Sequence, residues 1–326
     1  MKKKKIFKKV LVGILALVLA VLVYASNFLV TFGIARKGEG GNRKAASEEK
    51  KIEKKKDDIY YINKKKYDNE TEELKKTVKI STEEIKTKDN LKLKVNFINN
   101  EKSNNWVLLI HGYRSSHNGM MNFATQYYKK GFNVVTPDLR ASGESEGNYI
   151  GMGILDSEDM KIIINKIIEK DPKSKIVIHG VSMGAATTMN LSNQNLPNNV
   201  KIFIEDCGYT TVWDIFSQEL GYRFNLPEFP ILHVSSLISR IRAGYGFKDI
   251  STIDRVKESK LPMLFIHRKK DDFIPFEMME KLYNAKEQGI KDKIISENAD
   301  HGNAMYFMGD EYWQKTFDFI NKNINN

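Results

Sequence analysis

The sequence predicts an α/β fold: a mostly parallel central sheet covered by helices, with a helical cap inserted late in the chain and one membrane helix in front. Three observations predict it. From about residue 78 short, nearly continuous apolar runs alternate with helix-period segments; the interval 208–258 breaks that alternation; and Val10 to Ala35 contains no charged residue. Strand-helix alternation implies a sheet buried on both faces.

The opening segment, "MKKKKIFKKVLVGILALVLAVLVYASNFLVTFGIARK", places six lysines in its first nine residues before the uncharged run. At 1.5 Å per residue that run is long enough for a hydrocarbon core of about 30 Å. A cleavable signal peptide competes, with Val23 and Ala25 at the small-residue positions before a cut. The apolar run continues through Phe28, Leu29, Val30 and Phe32, beyond the length of a signal core, which favours a retained anchor over residues 1–36. The lysines lie ahead of the helix, against Arg36, Lys37, Arg43 and Lys44 behind it. The positive-inside bias therefore keeps the N-terminus cytoplasmic, giving a single-pass cell-membrane protein whose main body is extracytoplasmic.

Residues 37–77 are rich in Lys, Glu and Asp and show no clean apolar stripe, so they read as a charged stalk. A second reading of this basic stretch is binding to anionic lipid or wall polymer. Almost all of the chain's net charge of +11 resides here and at the N-terminus: positions 1–77 hold 20 basic and 10 acidic residues, the remaining 249 hold 32 and 31. A nearly neutral body excludes a nucleic-acid footprint on a folded basic face. Cys207 is the one cysteine, so no intrachain disulfide forms, and no ligand spacing for a structural metal is present.

The body, residues 78–326, begins with "VKISTEEIKT" and "LKLKVNFIN", alternating strands joined at Asp89 and Asn90 as an antiparallel hairpin. Buried-type strands follow at "WVLLIHG", "FNVVTPDL", "KIVIHGV", "VKIFIED" and "LPMLFIH". Between them, "ILDSEDMKIIINKIIEK" carries Ile154, Met160, Ile163, Ile164 and Ile167 at helical spacing. The interval 208–258, with Trp213, Phe216, Leu220, Phe224 and Leu232 interrupted by Pro227 and Pro230, reads as a cap of short helices.

"HGVSMG" sets Ser182 between two glycines. Roughly one chain in twelve of ordinary composition shows such a pentapeptide by chance. Context separates a nucleophile from a loop serine: a strand precedes Ser182 and a helix opening on small residues follows, the arrangement of a nucleophile elbow. A serine needs a base and an orienting acid, which on such an elbow follow in the order serine, acid, histidine. Of six histidines, His301 in "ENADHGNAM" is the one on a loop after the last strand and before the final helix, and it is assigned as general base, then acid. For the orienting acid Asp271 leads in "HRKKDDFIP", with Asp272 and Asp206 as alternatives. The oxyanion donors are the N–H of Met183, which follows the nucleophile, and that of Tyr113 in "LLIHGYRSSHNG". "GMGILD" mimics half a dinucleotide fingerprint, but Asp156 replaces its third glycine.

These motifs together resemble the alpha/beta-hydrolase superfamily over residues 78–326, and within it the serine aminopeptidase-like and monoglyceride-lipase-like branch, which includes membrane-anchored bacterial members. "HGYRSS" is similar to that family's oxyanion loop, "DLRASGES" to the loop after the next strand, "HGVSMG" to its elbow, and Asp300-His301 to its histidine loop. The chain departs from the family at the acid turn: Arg268 stands where a glycine is usual and Lys269 where an aspartate is usual, which brings two cations and a stiffer backbone to the acid. The resulting expectation is a serine hydrolase of small-molecule or lipid carboxylic esters that needs no cofactor and no metal. A peptidase is the second enzyme reading; it needs an acidic group near Ser182, for which Glu205, Asp206, Glu219 and Glu228 are candidates. A binding protein without catalysis is the third.

Overall fold

The computed structural model describes residues 2–38, 58–100, 103–297 and 301–325. Its centre is an eight-stranded sheet in the order β1-β2-β4-β3-β5-β6-β7-β8. The expected hairpin is β1 (Ile80–Lys86) with β2 (Lys92–Ile98), paired antiparallel in the register Lys86 to Lys92. Asn90 takes the left-handed φ of 65° that the turn requires. β2 pairs antiparallel with β4 (Asn133–Pro137). β4, β3 (Asn105–Ile110), β5 (Lys175–Val181), β6 (Val200–Asp206), β7 (Met263–Arg268) and β8 (Lys291–Ser296) all run parallel.

The five strands from β3 to β7 are the apolar runs of the sequence, buried on both sides. α4 (Ile154–Lys170), α5 (Met183–Leu191) and α9 (Phe276–Ala285) pack one core against the sheet. α3 (Met121–Lys129) and α11 (Asp310–Asn323) close the opposite face around Tyr127, Phe123 and Trp313. Short α10 (Ala304–Met308) leads into α11.

The interval 208–258 contains three helices, α6 (Val212–Phe224), α7 (Ile231–Ala243) and α8 (Thr252–Glu258). α6 and α7 form the cap. α8 belongs to the body instead, lying against α5 and α9.

Two departures concern the N-terminal third. α2 (Ile59–Thr77) occupies the second half of the expected stalk, and it is not solvated all round. Tyr67, Thr71 and Leu74 are buried at i, i+4 and i+7, and the Thr71 hydroxyl lies 2.8 Å from that of Thr125 and 2.7 Å from Asn122 Oδ1 on α3. Asp58 caps the helix, accepting from the Tyr60 N–H at 2.9 Å. The stripe is narrow and includes a threonine, which is why composition conceals it. The rest of the expected stalk, 39–57, lies outside the described residues.

α1 (Lys2–Ile34) is one helix, long and apolar enough to cross a membrane, and exposed through most of its length. Its end is fastened to the body. Ser26, Val30 and Ile34 are buried, the Ser26 hydroxyl donates to the Ile231 carbonyl at 3.2 Å, and α7 runs along it. The Ile150 N–H donates to the Ile34 carbonyl and the Arg36 N–H to the Asn148 carbonyl, each at 2.8 Å. The helix and the body therefore meet directly.

Leu74→Ala tests the packing of α2. A buried leucine truncated at the edge of a core costs about 2 kcal/mol, the low end of the usual range. Denaturant unfolding of the full chain in detergent should register that loss, whereas an unshifted midpoint would mean that α2 is a free stalk.

Candidate active site

Tyr113, Ser182, Met183, Asp271 and His301 sit at the C-terminal edge of the parallel strands, where such sheets place their sites. Ser182 joins β5 to α5 with φ 58° and ψ −117°. A Cβ on Gly180 would overlap the Gly184 carbonyl, and one on Gly184 would overlap the Ile110 carbonyl. Both glycines are therefore required for α5 to start against β3 and β5.

His301, on the loop before α10, bridges Ser182 and Asp271. Its Nε2 lies 2.8 Å from Ser182 Oγ and its Nδ1 2.8 Å from Asp271 Oδ2. Asp271 Oδ1 accepts from the N–H groups of Phe273 and Ile274 at 2.9 and 2.8 Å, so the carboxylate is held on both oxygens. Asp272, 80 % exposed at its side chain, faces Arg268 Nη2 at 3.0 Å. Asp206 is buried and accepts from the Tyr312 hydroxyl at 2.8 Å. Of the three candidate acids, Asp271 is the one joined to His301. Asp300, the other half of the histidine-loop motif, lies outside the described residues.

Arg268 ends β7 without a positive φ, so the stiffer backbone expected there does not arise. Its side chain turns inward and brings Nε to 3.1 Å from Asp271 Oδ2. Lys269 turns outward to Glu297 at 2.6 Å. One cation, not two, thus serves the acid. Burial pushes the Asp271 pKa up, but the hydrogen bond and charge of His301, with Arg268 beside them, outweigh it and hold the carboxyl well below the usual range.

The other histidines are occupied elsewhere. His111 accepts from the Leu139 N–H at 3.0 Å and is neutral, its pKa lowered by burial to about 4. His179 sits between the hydroxyls of Tyr127 and Tyr312, and burial lowers it to about 3. His267 bonds the Ile274 carbonyl, His117 the Asp138 carboxylate, and His233 meets Trp213 edge-on in the cap.

Met183 is the first residue of α5, so its N–H has no intrahelical acceptor. Gly112 lies against Ser182, a Cβ on it falling 3.2 Å from Ser182 Cβ, which sets Tyr113 beside the serine. Tyr113, Ser182 and Met183 all line one pocket. Its other walls are mostly apolar: Ile215, Phe216 and Leu220 from α6, Leu232 from α7, and Phe273, whose ring is tilted against that of His301 with centroids 5.0 Å apart. The pocket's ion pair is Arg223 with Glu219, 2.7 Å apart. Of the remaining acids considered for a peptidase, Glu205 is buried on the Gly208 N–H and Glu228 bonds Ser217 and Trp213. Leu29, Val30 and Gly33 of α1 also line the pocket, a role that the helix's uncharged run from Val10 onward does not signal.

Cys207 Sγ, Asp271 and His301 gather within 4.8 Å of one another. Burial keeps the thiol protonated, and Asp271 and His301 are already bonded to each other, so this trio is not arranged as a metal site.

A family model described as serine aminopeptidase, S33, matches residues 101–205. The Bacillus subtilis protein YqkD is 28 % identical over 226 residues, 68 % of this chain and 72 % of the relative. A putative esterase of the same organism, YitV, is 25 % identical over 228 residues, 63 % of this chain and 80 % of its own length. Among solved structures, Pyrococcus furiosus esterase Pf2001 superposes with a TM-score of 0.64 at 24 % identity, over 76 % of this chain and 94 % of that one.

Asp206 supplies a pH test. Burial pushes its pKa up to about 6, against about 3.9 in an unfolded chain. Between those values the native state holds a proton that the unfolded state has lost, so its contribution is complete below about pH 4 and disappears as pH rises through about 6. In Asp206→Asn this loss is absent, and Tm measured relative to the wild type should rise between pH 4 and pH 7. A difference that stays flat with pH would contradict the raised pKa.

Proposed function

We propose that the chain, which has the fold of the alpha/beta hydrolases and matches their serine aminopeptidase model in part, is a membrane-anchored serine hydrolase of long-chain carboxylic esters, with Ser182, His301 and Asp271 as its triad. The observation that carries the reading is the unbroken chain of two 2.8 Å contacts from Ser182 Oγ through His301 to Asp271.

Ser182 Oγ attacks the ester carbonyl as His301 Nε2 takes its proton. Asp271 holds the ring and stabilises the imidazolium. The oxyanion accepts hydrogen bonds from the Tyr113 and Met183 N–H groups. Collapse breaks the bond to the alkoxy oxygen, which leaves as an alcohol carrying the proton from His301. Water then attacks the acyl-serine, giving a second proton to His301, and the acid leaves as Ser182 recovers its hydrogen. The cycle balances without a cofactor.

The apolar walls of the pocket favour an acyl chain over a charged amino terminus. A peptidase reading draws on the family match, yet Glu219, the one candidate acid lining the pocket, is paired with Arg223. The charge bias of the N-terminal segment supports a catalytic body outside the cytoplasmic membrane.

In intact cells a fluorophosphonate should label the wild type but not Ser182→Ala, and external protease should remove the labelled body. Asp271→Asn should lower kcat about ten-thousandfold, the effect known when the orienting acid becomes an amide. Across aryl esters from acetate to tetradecanoate, kcat/KM should climb with chain length. Activity confined to acetate would rule out the long-chain reading, and hydrolysis of aminoacyl amides without esters would favour the peptidase.

A further inference from the structure

The pocket beside Ser182 is not built by the hydrolase body alone. Leu29, Val30 and Gly33 of α1 form part of its wall, with Gly33 opposite Phe216: a Cβ added there would stand 3.8 Å from that ring. Phe32 packs edge-on against Phe224 at 5.6 Å between centroids.

The same turns are bonded to the loop that follows β3. The Tyr113 hydroxyl donates to the Gly33 carbonyl. The Arg114 guanidinium donates to the carbonyls of Ala35 at 2.9 Å and Arg36 at 3.1 Å, satisfying acceptors that the end of a helix leaves open.

Helix length fixes where this junction lies. Counted from Val10, where the charged residues end, twenty residues to Leu29 span about 30 Å and fill a hydrocarbon core. Val30 to Ile34 then rises about 8 Å further, into the headgroup layer. The cap beside it is apolar on its outside: of the nine exposed large hydrophobics described outside α1, five are Tyr222, Leu226, Phe229, Leu237 and Ile241. Solvent is a poor partner for that surface, and an apolar patch adjoining a membrane helix fits the lipid interface.

We propose that the end of the membrane helix is a specificity wall of the active site, and that the enzyme draws its acyl ester sideways from the leaflet in which it is anchored. The substrate class is a bilayer-resident lipid ester, whose acyl chain passes along Leu29, Val30 and Gly33 to reach Ser182. This rests on the ester-hydrolase reading above.

Two measurements on the full chain in lipid nanodiscs test it. The first is the ratio of kcat/KM for aryl dodecanoate over aryl acetate, which a general loss of folded enzyme leaves untouched. In Gly33→Leu and Leu29→Trp this ratio should fall about tenfold or more, the scale on which a filled apolar pocket discriminates chain length; a ratio equal to the wild type's in both variants overturns the wall.

The second uses a fluorophosphonate whose alkyl chain ends in a diazirine. After Ser182 is labelled and the probe photolysed, cross-links should map to residues 26–34 in the tryptic peptide Val10–Arg36. Cross-links confined to α6, α7 and the sheet overturn the inference while leaving Ser182 as nucleophile. Absence of Ser182 labelling in folded protein overturns the ester-hydrolase reading itself, and this inference with it.

Discussion

At Ser182 the backbone turns through φ 58° and ψ −117°, a conformation that a residue with a side chain holds only when its surroundings force it. The force comes from crowding: Gly180 and Gly184 have no Cβ to spare between α5, β3 and β5. That tight crossing points Oγ out of the sheet edge, leaves the Met183 N–H at a helix start, and brings Gly112 against the serine. Strain of about 1–3 kcal/mol at such a residue is sustained by the buried sheet around it. Loops after β7 and β8 then deliver the acid and the histidine to the same edge.

The acid turn shows how a departure from the family pattern is absorbed. A glycine position filled by Arg268 would cost backbone freedom if the turn required a left-handed residue there, and it does not. The side chain folds in and places a guanidinium by Asp271 Oδ2, the oxygen that also faces His301. The hydrogen bond and charge of His301, with Arg268 beside them, keep Asp271 ionised despite its burial.

Much of the fold was legible because parallel strands buried on both faces are written as unbroken apolar runs, and the elbow because its glycines flank the serine at fixed spacing. His301 could be singled out by order along the chain. What stayed hidden is physically different in kind. β8 is an edge strand with only Ile294 and Ser296 buried, so it lacks an apolar run. α2 packs through three positions, one of them Thr71 in a hydroxyl network, which no hydropathy pattern registers. Asp271 and Asp272 are adjacent and chemically identical; only the direction of the turn separates them. α1 is uncharged from Val10 to its end, so the sequence does not distinguish its pocket-facing residues from its exposed ones.

The central claim is that Ser182 carries the acyl group during turnover. The direct measurement is acid quench of the enzyme while it hydrolyses aryl dodecanoate, followed by peptide mass analysis. A dodecanoyl adduct is expected on the peptide containing Ser182, formed and consumed at rates that match steady-state turnover. Turnover with no adduct on that peptide, or with the acyl group on another side chain, would contradict it.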